Sequence, residues 1–331
     1  MKIENLVRIT AGTLLNNPAV NSIEDIKTNP QKITRGNLFI DINASLEDIK
    51  LAISNGAYAI ISKVRSLFLD DEIAWIYVED IELAIIKLSR YYTTKKDLHF
   101  IQLSQLHYSL LKCLRLSIKA QTLPQEPKEA LKQILHVKES TTFFTIDSSY
   151  VDKIDPTSYK AQEKIEPTNL ISKGAFISSF VYKNLFVNEL RLTSFFVPHL
   201  LGLLDYLDSL EIEYSLDNFS NFGHFYPQFV DKSLNKKEFG MSERALIFEY
   251  DSKLFEEELI FLEKSGYLES TILFIPNNIK IESKFKKIIY NTPTDLAGLK
   301  NFDFRYALVF GNKEDFEYNF NTHIDKQMKL F

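Results

Sequence analysis

The spacing of hydrophobic and polar residues predicts alternating strands and helices along most of the chain. In the first part, short apolar runs predict strands at GNLFIDI, YAIISK and WIYVE. Helical spacing predicts helices at LEDIKLAISNGA and DIELAIIKLSRYYTT. The first of these helices, at 46–55, lies between two predicted strands, and such a crossover joins parallel strands. Residues 1–97 are therefore predicted to form a small α/β domain.

The middle of the chain, residues 98–240, mixes strand and helix patterns with one polar stretch. LHFIQLS and TTFFTID predict strands, whereas HYSLLKCLRLSIKA and EALKQILHVKES predict helices. Residues 148–168 are polar and contain two prolines, which predicts a surface connection. ISKGAFISSFVYKNLFVNELRL predicts a hairpin that turns near Lys183 and Asn184. SFFVPHLLGLLDYLDSL is either the main buried helix of this domain or an apolar interface for a partner.

Residues 241–331 predict a third, open and largely parallel α/β domain. Its four apolar strands are RALIFEY, TILFIP, KKIIYN and YALVFG, and the helix LFEEELIFLEKSG lies between the first two. Glu256, Glu257 and Glu258 are interpreted as the solvated first turn of this helix, where negative charge suits the helix dipole.

Composition narrows the chemistry of this α/β chain. The net charge of −5 disfavours a nucleic-acid partner, and the lone Cys113 excludes an internal disulfide. The 10 glycines form neither GxGxxG nor GxxxxGK[ST], so both phosphate-loop motifs are absent. The first residues lack a secretory apolar region, and no apolar run reaches about 18 residues, the length that indicates a membrane helix. The chain is expected to be cytoplasmic, without membrane insertion.

Few residues suggest catalysis on their own. The six histidines show neither HxxxH nor HExxH spacing, so no metal site is expected. Asp147, at the end of TTFFTID, stands where open α/β sheets place catalytic groups, but a turn carboxylate fits the same position. Both interpretations of Asp147 stay open.

The first domain resembles the N-terminal domain of the Mur ligases, in the MurE/MurF-like branch that extends UDP-N-acetylmuramoyl peptides. The segments that carry the resemblance, in order, are LVRITAGTLLNNPAV, IEDIKTNPQKITRGNLFIDIN, LEDIKLAISNGAYAIISK and IAWIYVEDIELAIIKLSRYY. The resemblance implies a three-domain α/β architecture, here with a shortened central domain.

The resemblance also implies a nucleotide-sugar pocket in this domain, with a UDP-linked ligand. The Mur ligases contact the uridine nucleotide through Asp-Ser-Arg, of which only the hydroxyl of Thr28 is matched here. In the family's Gly-Asp-Leu-Phe segment, Gly36, Leu38 and Phe39 match, while an asparagine replaces the acid. The Asp-Gly-His sequence that follows in the family is missing.

The next segment, LHFIQLSQLHYSLLKCL, aligns without a gap with the strand and the ATP loop TGxxGKT[ST] of the Mur ligases. The loop glycines fall on Leu103 and Leu106, and the lysine falls on His107. Leucine side chains keep the backbone away from a phosphate, and neutral imidazole is no substitute for a permanent cation. The aligned residues, which we expect to be non-functional, are Leu103, Ser104, Leu106, His107, Tyr108 and Ser109.

Other ligase features are also missing. Glu249-Tyr250-Asp251-Ser252 stands where the family has Asp-x-Tyr-Asn-x-Asn-Pro, and neither the magnesium carboxylate nor the carbamylated lysine can be placed. The leading hypothesis is a catalytically degenerate, cofactor-free Mur-ligase-like protein that binds a protein partner in peptidoglycan precursor synthesis or cell-shape control. The alternative is a UDP-sugar-binding protein or ATP-independent enzyme that uses the N-terminal pocket. An active ligase with an unrecognised ATP site is disfavoured.

Overall fold

The computed structural model describes residues 1–65, 70–155, 159–160, 164–217, 219–220 and 222–319, which divide into two compact units. The N-terminal unit comprises Met1–Tyr108, Arg115–Gln162 and Asp205–Ser215, and the C-terminal unit comprises Ser109–Leu114, Glu163–Leu204 and Leu216–Phe331. The expected domain borders after residues 97 and 240 differ from the borders of these units, and they stay predictions.

The N-terminal unit begins with a five-stranded sheet. Its strands are β1 (Thr13–Leu14), β2 (Ile26–Lys27), β3 (Leu38–Ile40), β4 (Ala59–Ser62) and β5 (Ala74–Tyr77), and its helices are α1 (Ile3–Thr10), α2 (Leu46–Ser54) and α3 (Ile81–Lys96). The order is β1-β5-β4-β3-β2, with β2 to β5 parallel and β1 antiparallel. A 3-10 helix spans Pro30–Lys32. The predicted parallel crossover through α2 is confirmed.

Capping side chains and core burial explain these helices. The Ser45 Oγ accepts a hydrogen bond from the Asp48 N–H at 3.2 Å, and Asp80 caps α3 in the same way through the Leu83 N–H at 3.1 Å. One sheet face packs against α1 and α3, and the opposite face packs against the buried Ile49 and Ala52 of α2. Both faces are covered, as a parallel sheet requires.

A second parallel sheet follows in the same unit. Its elements are β6 (His99–Gln102), α4 (Gln105–Leu111), β7 (Arg115–Leu116), β8 (Ala120–Thr122), α5 (Pro127–His136), β9 (Thr142–Thr145), α6 (Ser148–Ile154) and β10 (Tyr159–Lys160). The order of the sheet is β10-β6-β9-β8. Strand β7 instead pairs with a later strand at Tyr214–Ser215.

Two sequence predictions for this region are wrong. The helix predicted over 107–120 ends at Leu111, because the residues after it turn into strand β7. Residues 148–154 form a helix rather than a surface connection, since Tyr150 and Val151 are buried and the Tyr150 hydroxyl donates to Ser89 Oγ at 2.6 Å. Of the remaining residues of that stretch, 156–158 and 161–163 lie outside the described residues.

The C-terminal unit contains an antiparallel sheet of β11 (Thr168–Lys173), β12 (Ile177–Tyr182) and β13 (Leu185–Leu190). The hairpin predicted to turn at Lys183 and Asn184 is confirmed, and β11 adds a strand that was not predicted. A 3-10 helix at Ser194–Phe196 leads into α7 (Val197–Ser209), whose residues from Asp205 onward are assigned to the N-terminal unit. Leu200, Leu203 and Leu207 of α7 are buried, which confirms the interpretation of this helix as core.

The last sheet follows β14 (Tyr214–Ser215). Its elements are β15 (Tyr226–Phe229), β16 (Ala245–Glu249), α8 (Ser252–Lys264), β17 (Thr271–Pro276), β18 (Lys286–Tyr290), β19 (Tyr306–Phe310) and α9 (Lys313–Phe316), with 3-10 helices at Leu268–Ser270, Pro293–Asn301 and Glu317–Asn319. The order is β15-β16-β19-β17-β18, in which only β15 is antiparallel. The predicted open, largely parallel sheet is confirmed.

Candidate functional site

The junction between β6 and α4 holds the residues that align with the ATP loop. Only Leu103 and Ser104 separate the strand from the helix. The Ser104 Oγ accepts a hydrogen bond from the His107 N–H at 3.2 Å, and it lies 3.0 Å from Nδ1 of the same histidine. Leu103 is buried, and its N–H donates to the Thr145 carbonyl at 2.8 Å. The junction is therefore a closed helix cap.

The other aligned residues complete this cap. Leu106 and Tyr108 are half-buried, whereas His107 and Ser109 are buried. The Tyr108 N–H donates to the Ser104 carbonyl at 2.9 Å. No lysine or arginine stands among residues 103–109, so this stretch offers a phosphate no permanent cation.

The four candidate residues for a nucleotide-sugar pocket do not meet in one place. Thr28 follows the carboxyl end of β2, whereas Gly36 precedes the amino end of β3, its parallel neighbour. Leu38 and Phe39 are buried on opposite faces of the sheet. Gly36 has a φ of +92°, and a Cβ there would lie 2.9 Å from the Glu24 side chain. The backbone geometry thus explains why a glycine stands at position 36, without any contact to a ligand.

A polar cluster at the carboxyl edge of the first sheet escaped the sequence analysis. Asp41 follows β3 and is fully buried; its Oδ2 accepts from Ser62 Oγ at 2.8 Å, and its Oδ1 accepts from the Ser45 N–H at 3.0 Å. Thr28 Oγ1 is buried and has no hydrogen-bond partner among the described residues. The available signal was an acidic residue inside the apolar run GNLFIDI. Ligands commonly bind at this edge of parallel sheets.

A chain of ionisable side chains, all buried except that of Tyr250, lies at the carboxyl end of β16. Glu249, the last residue of this strand, is fully buried. The N–H groups of Phe225, Tyr250 and Asp251 donate to its carboxylate at 3.2, 2.9 and 2.8 Å. His224 Nδ1 lies 2.9 and 3.1 Å from the two carboxylate oxygens, and its Nε2 lies 3.3 Å from the Tyr250 hydroxyl. Three backbone N–H groups and one imidazole nitrogen therefore surround the Glu249 carboxylate.

Helix α8 places Glu258 beside Glu249, so the interpretation of residues 256–258 as a solvated turn is wrong for Glu258. This residue is fully buried, and no N–H or hydroxyl group of the described residues donates to its carboxyl. Burial raises the pKa of Glu258 well above its ordinary value, and the charge of the neighbouring Glu249 raises that pKa further. Because burial and the charge of Glu249 both disfavour a second negative charge here, we place a proton on Glu258.

The pattern of α8 contained a signal for this burial. Leu254, Phe255, Leu259 and Leu262 form the buried face of the helix, and Glu258 falls on the same face at helical spacing. The position of Glu258 on the buried face of the helix, rather than its place in an acidic run, therefore decides its environment. The resulting arrangement places Glu258, Glu249 and His224 together in a buried setting, next to the exposed Tyr250.

No protein-family model matches the chain, and no curated protein matches it. Several solved structures do match this chain. MurF ligase from Thermotoga maritima, in complex with ADP, matches with a TM-score of 0.55 and 12% identity, over 89% of this chain and 97% of that one. MurF from Acinetobacter baumannii matches with a TM-score of 0.52 and 12% identity, over 96% of each chain. This chain has the fold of the MurF ligases.

The expected Mur-ligase-like α/β architecture is thereby confirmed. Within this MurF fold, the described residues hold no group of three or more His, Cys, Asp or Glu side chains suited to a metal ion, and His323 lies outside the described residues. Asp147 accepts the Ser149 N–H at 2.7 Å and caps α6, in agreement with a turn carboxylate. Burial raises the pKa of Cys113 to about 11, which makes this thiol a poor nucleophile. No helix in the described ranges is long and apolar enough to span a membrane.

Proposed function

We propose that this MurF-fold chain acts by binding, as a scaffold or regulator, and does not carry out ATP-driven ligation. Its setting in this proposal is peptidoglycan precursor synthesis or cell-shape control, and its partner is another protein of that process. The MurF fold supports the setting, and the chemistry of the β6–α4 junction supports the loss of ligation.

The observation that carries the proposal is the closed cap at Ser104. An ATP loop works because successive backbone N–H groups surround the phosphates while a lysine neutralises their charge. Here Ser104 accepts hydrogen bonds from the N–H groups of His107 and Tyr108, and His107 is buried at the position of the lysine. The N–H groups of His107 and Tyr108 are thus engaged within the fold, and no lysine stands at the position of the phosphate-binding cation.

A ligation assay tests the absence of catalysis. The full chain is incubated with ATP–Mg²⁺, a UDP-N-acetylmuramoyl peptide and D-Ala-D-Ala, and both phosphate release and the extended peptide are measured. MurF from Thermotoga maritima is the positive control. We expect neither product above the enzyme-free background. Stoichiometric phosphate and peptide formation by this chain would contradict the proposal.

Affinity purification of the tagged full chain from cells that build peptidoglycan tests the binding role. Mass spectrometry is expected to identify an enzyme of precursor synthesis, and the purified pair is expected to reassociate in calorimetry. If no such enzyme co-purifies after chemical cross-linking, the scaffold role fails.

A UDP-linked ligand in the N-terminal unit is a second candidate, favoured by the buried Thr28 hydroxyl, which has no hydrogen-bond partner within the described part of the chain and follows the strand next to that of Asp41. UDP-N-acetylglucosamine would then raise the thermal midpoint of the native chain, because a ligand that binds only the folded state stabilises it. Thr28→Val keeps the shape of the side chain but removes the hydroxyl. If UDP-N-acetylglucosamine raises the thermal midpoint of the native chain but not that of Thr28→Val, the result supports this ligand site. If it does not raise the midpoint of the native chain, the site is rejected.

A further inference from the structure

The C-terminal unit contains an aromatic cavity of about 390 Å³. Four phenylalanines of its wall pack on one another: ring centroids lie 5.9 Å apart for Phe176–Phe225, 5.5 Å for Phe176–Phe229 and 5.0 Å for Phe229–Phe239. Small-molecule sites commonly have volumes of about 300–1,000 Å³ and mainly apolar walls with a few polar groups. The size and the lining of this cavity fit that description.

The polar groups of the cavity include a cation without a carboxylate partner. The Arg191 guanidinium lies 4.6 Å from the centre of the Phe239 ring, and no carboxylate of the described residues is within 4.0 Å of it. Lys237 also lines the cavity, but it is paired with Asp231 at 3.5 Å. Arg191 is therefore the cation that is available to an anionic ligand.

A buried hydroxyl stands two residues after this arginine. Thr193 lines the cavity and is only 4% exposed, and its Oγ1 has no hydrogen-bond partner among the described residues. A buried polar group without a partner carries an uncompensated desolvation cost. A ligand oxygen that accepts from this hydroxyl would remove that cost.

The cavity wall also contains strained backbone. Phe225 has a φ of +46°, which is uncommon for a bulky side chain, and its N–H donates to the buried Glu249 carboxylate at 3.2 Å. Strain of this kind persists where surrounding contacts enforce it, and it concentrates at binding and catalytic sites. Here the buried carboxylate holds the aromatic ring of Phe225 in the wall.

We propose that this cavity binds a small organic anion with an apolar, preferably aromatic, body. The body lies among the phenylalanines, the carboxylate or phosphate of the ligand pairs with Arg191, and Thr193 donates a hydrogen bond to it. The planar guanidinium matches either anionic group through two parallel hydrogen bonds. This proposal does not depend on the scaffold or regulatory function proposed above.

Calorimetry with 2-naphthoate, 2-naphthyl phosphate and the neutral 2-naphthamide tests the site in the full chain. At least one anion is expected to bind ten or more times as tightly as the amide, since charge-assisted hydrogen bonds are roughly twice as strong as neutral ones. Arg191→Met, which removes the charge from an exposed side chain, is expected to weaken the anion about tenfold or more. Lys232→Met, at an exposed lysine outside the cavity, is the matched control and is expected to leave affinity unchanged.

A second variant tests the aromatic wall. Phe239→Leu, at a half-buried position, is expected to weaken both the anion and the amide, because it removes a stacking surface. Absence of binding by both anions overturns the proposal. Equal affinity for the amide, or unchanged anion affinity in the Arg191 variant, overturns it as well.

Discussion

At the scale of single residues, the chemical state of a side chain follows from its environment. Glu256 is exposed, whereas Glu258 is fully buried against Glu249, although both lie in the same acidic run. Burial and the charge of Glu249 raise the pKa of Glu258 well above its ordinary value and so favour a proton on this side chain. Burial of Glu258 therefore couples the protonation of this side chain to folding.

Glu258→Gln is expected to remove part of that dependence. The pKa of Glu258 is raised in the folded state, so its stabilising contribution is complete below about 4.5, its ordinary pKa, and is lost as the pH rises through the folded-state value. Glutamine resembles the protonated acid at every pH. Urea denaturation should give equal free energies of unfolding for variant and native chain near pH 4, and a more stable variant at alkaline pH. Each unit of the pKa shift corresponds to about 1.4 kcal/mol.

Glu256→Gln is the matched control for this series, because its side chain is exposed on the same helix. It should leave the free energy of unfolding within about 0.5 kcal/mol of the native value at every pH. A Glu258→Gln variant that is less stable than the native chain throughout the alkaline range would contradict the protonated state assigned to Glu258.

At the scale of elements, helix ends decide what the β6–α4 junction can do. The cap at Ser104 closes α4 onto the strand within two residues, so the same N–H groups serve the fold instead of a ligand. Caps of this type were foreseeable at Asp80, where the acid precedes an apolar helix. No cap was predicted at Ser104, because the sequence around this residue aligns with an ATP loop.

Ser104→Ala tests the capping role. Loss of the hydrogen bond from the His107 N–H is expected to lower the free energy of unfolding by about 1 kcal/mol. Gln105→Ala, at the exposed first residue of the helix, is the control and should have an effect below about 0.5 kcal/mol. Equal effects of the two substitutions in urea denaturation would show that Ser104 does not cap the helix.

The apolar segment at α7 gives a second test at this scale. Leu200→Ala, at a fully buried position, is expected to cost about 2–5 kcal/mol of unfolding free energy, because it leaves a cavity. Leu210→Ala makes the same chemical change at a residue that is 37% exposed, and it should cost much less. A small effect at Leu200 would contradict the interpretation of α7 as core and reopen the interface alternative.

At the scale of the whole molecule, the strand and helix pattern predicts the architecture well and the sites poorly. Parallel sheets follow from alternating apolar runs and helices, as at β3, α2 and β4. Spatial neighbours far apart in sequence, such as His224 and Glu249, leave no local pattern. The same holds for β7, whose partner β14 lies about a hundred residues later. Conversely, Thr28 and Gly36 both match the family in sequence, but they lie at opposite ends of two neighbouring strands.

Calorimetric titration of the full chain with ATP–Mg²⁺ tests the central claim most directly. MurF from Thermotoga maritima, whose structure was solved with ADP, serves as the positive control under identical conditions. Because the β6–α4 junction has no cation and its cap engages the N–H groups of His107 and Tyr108, we expect no binding heat from this chain at millimolar nucleotide. Saturable binding in the micromolar range would contradict the account.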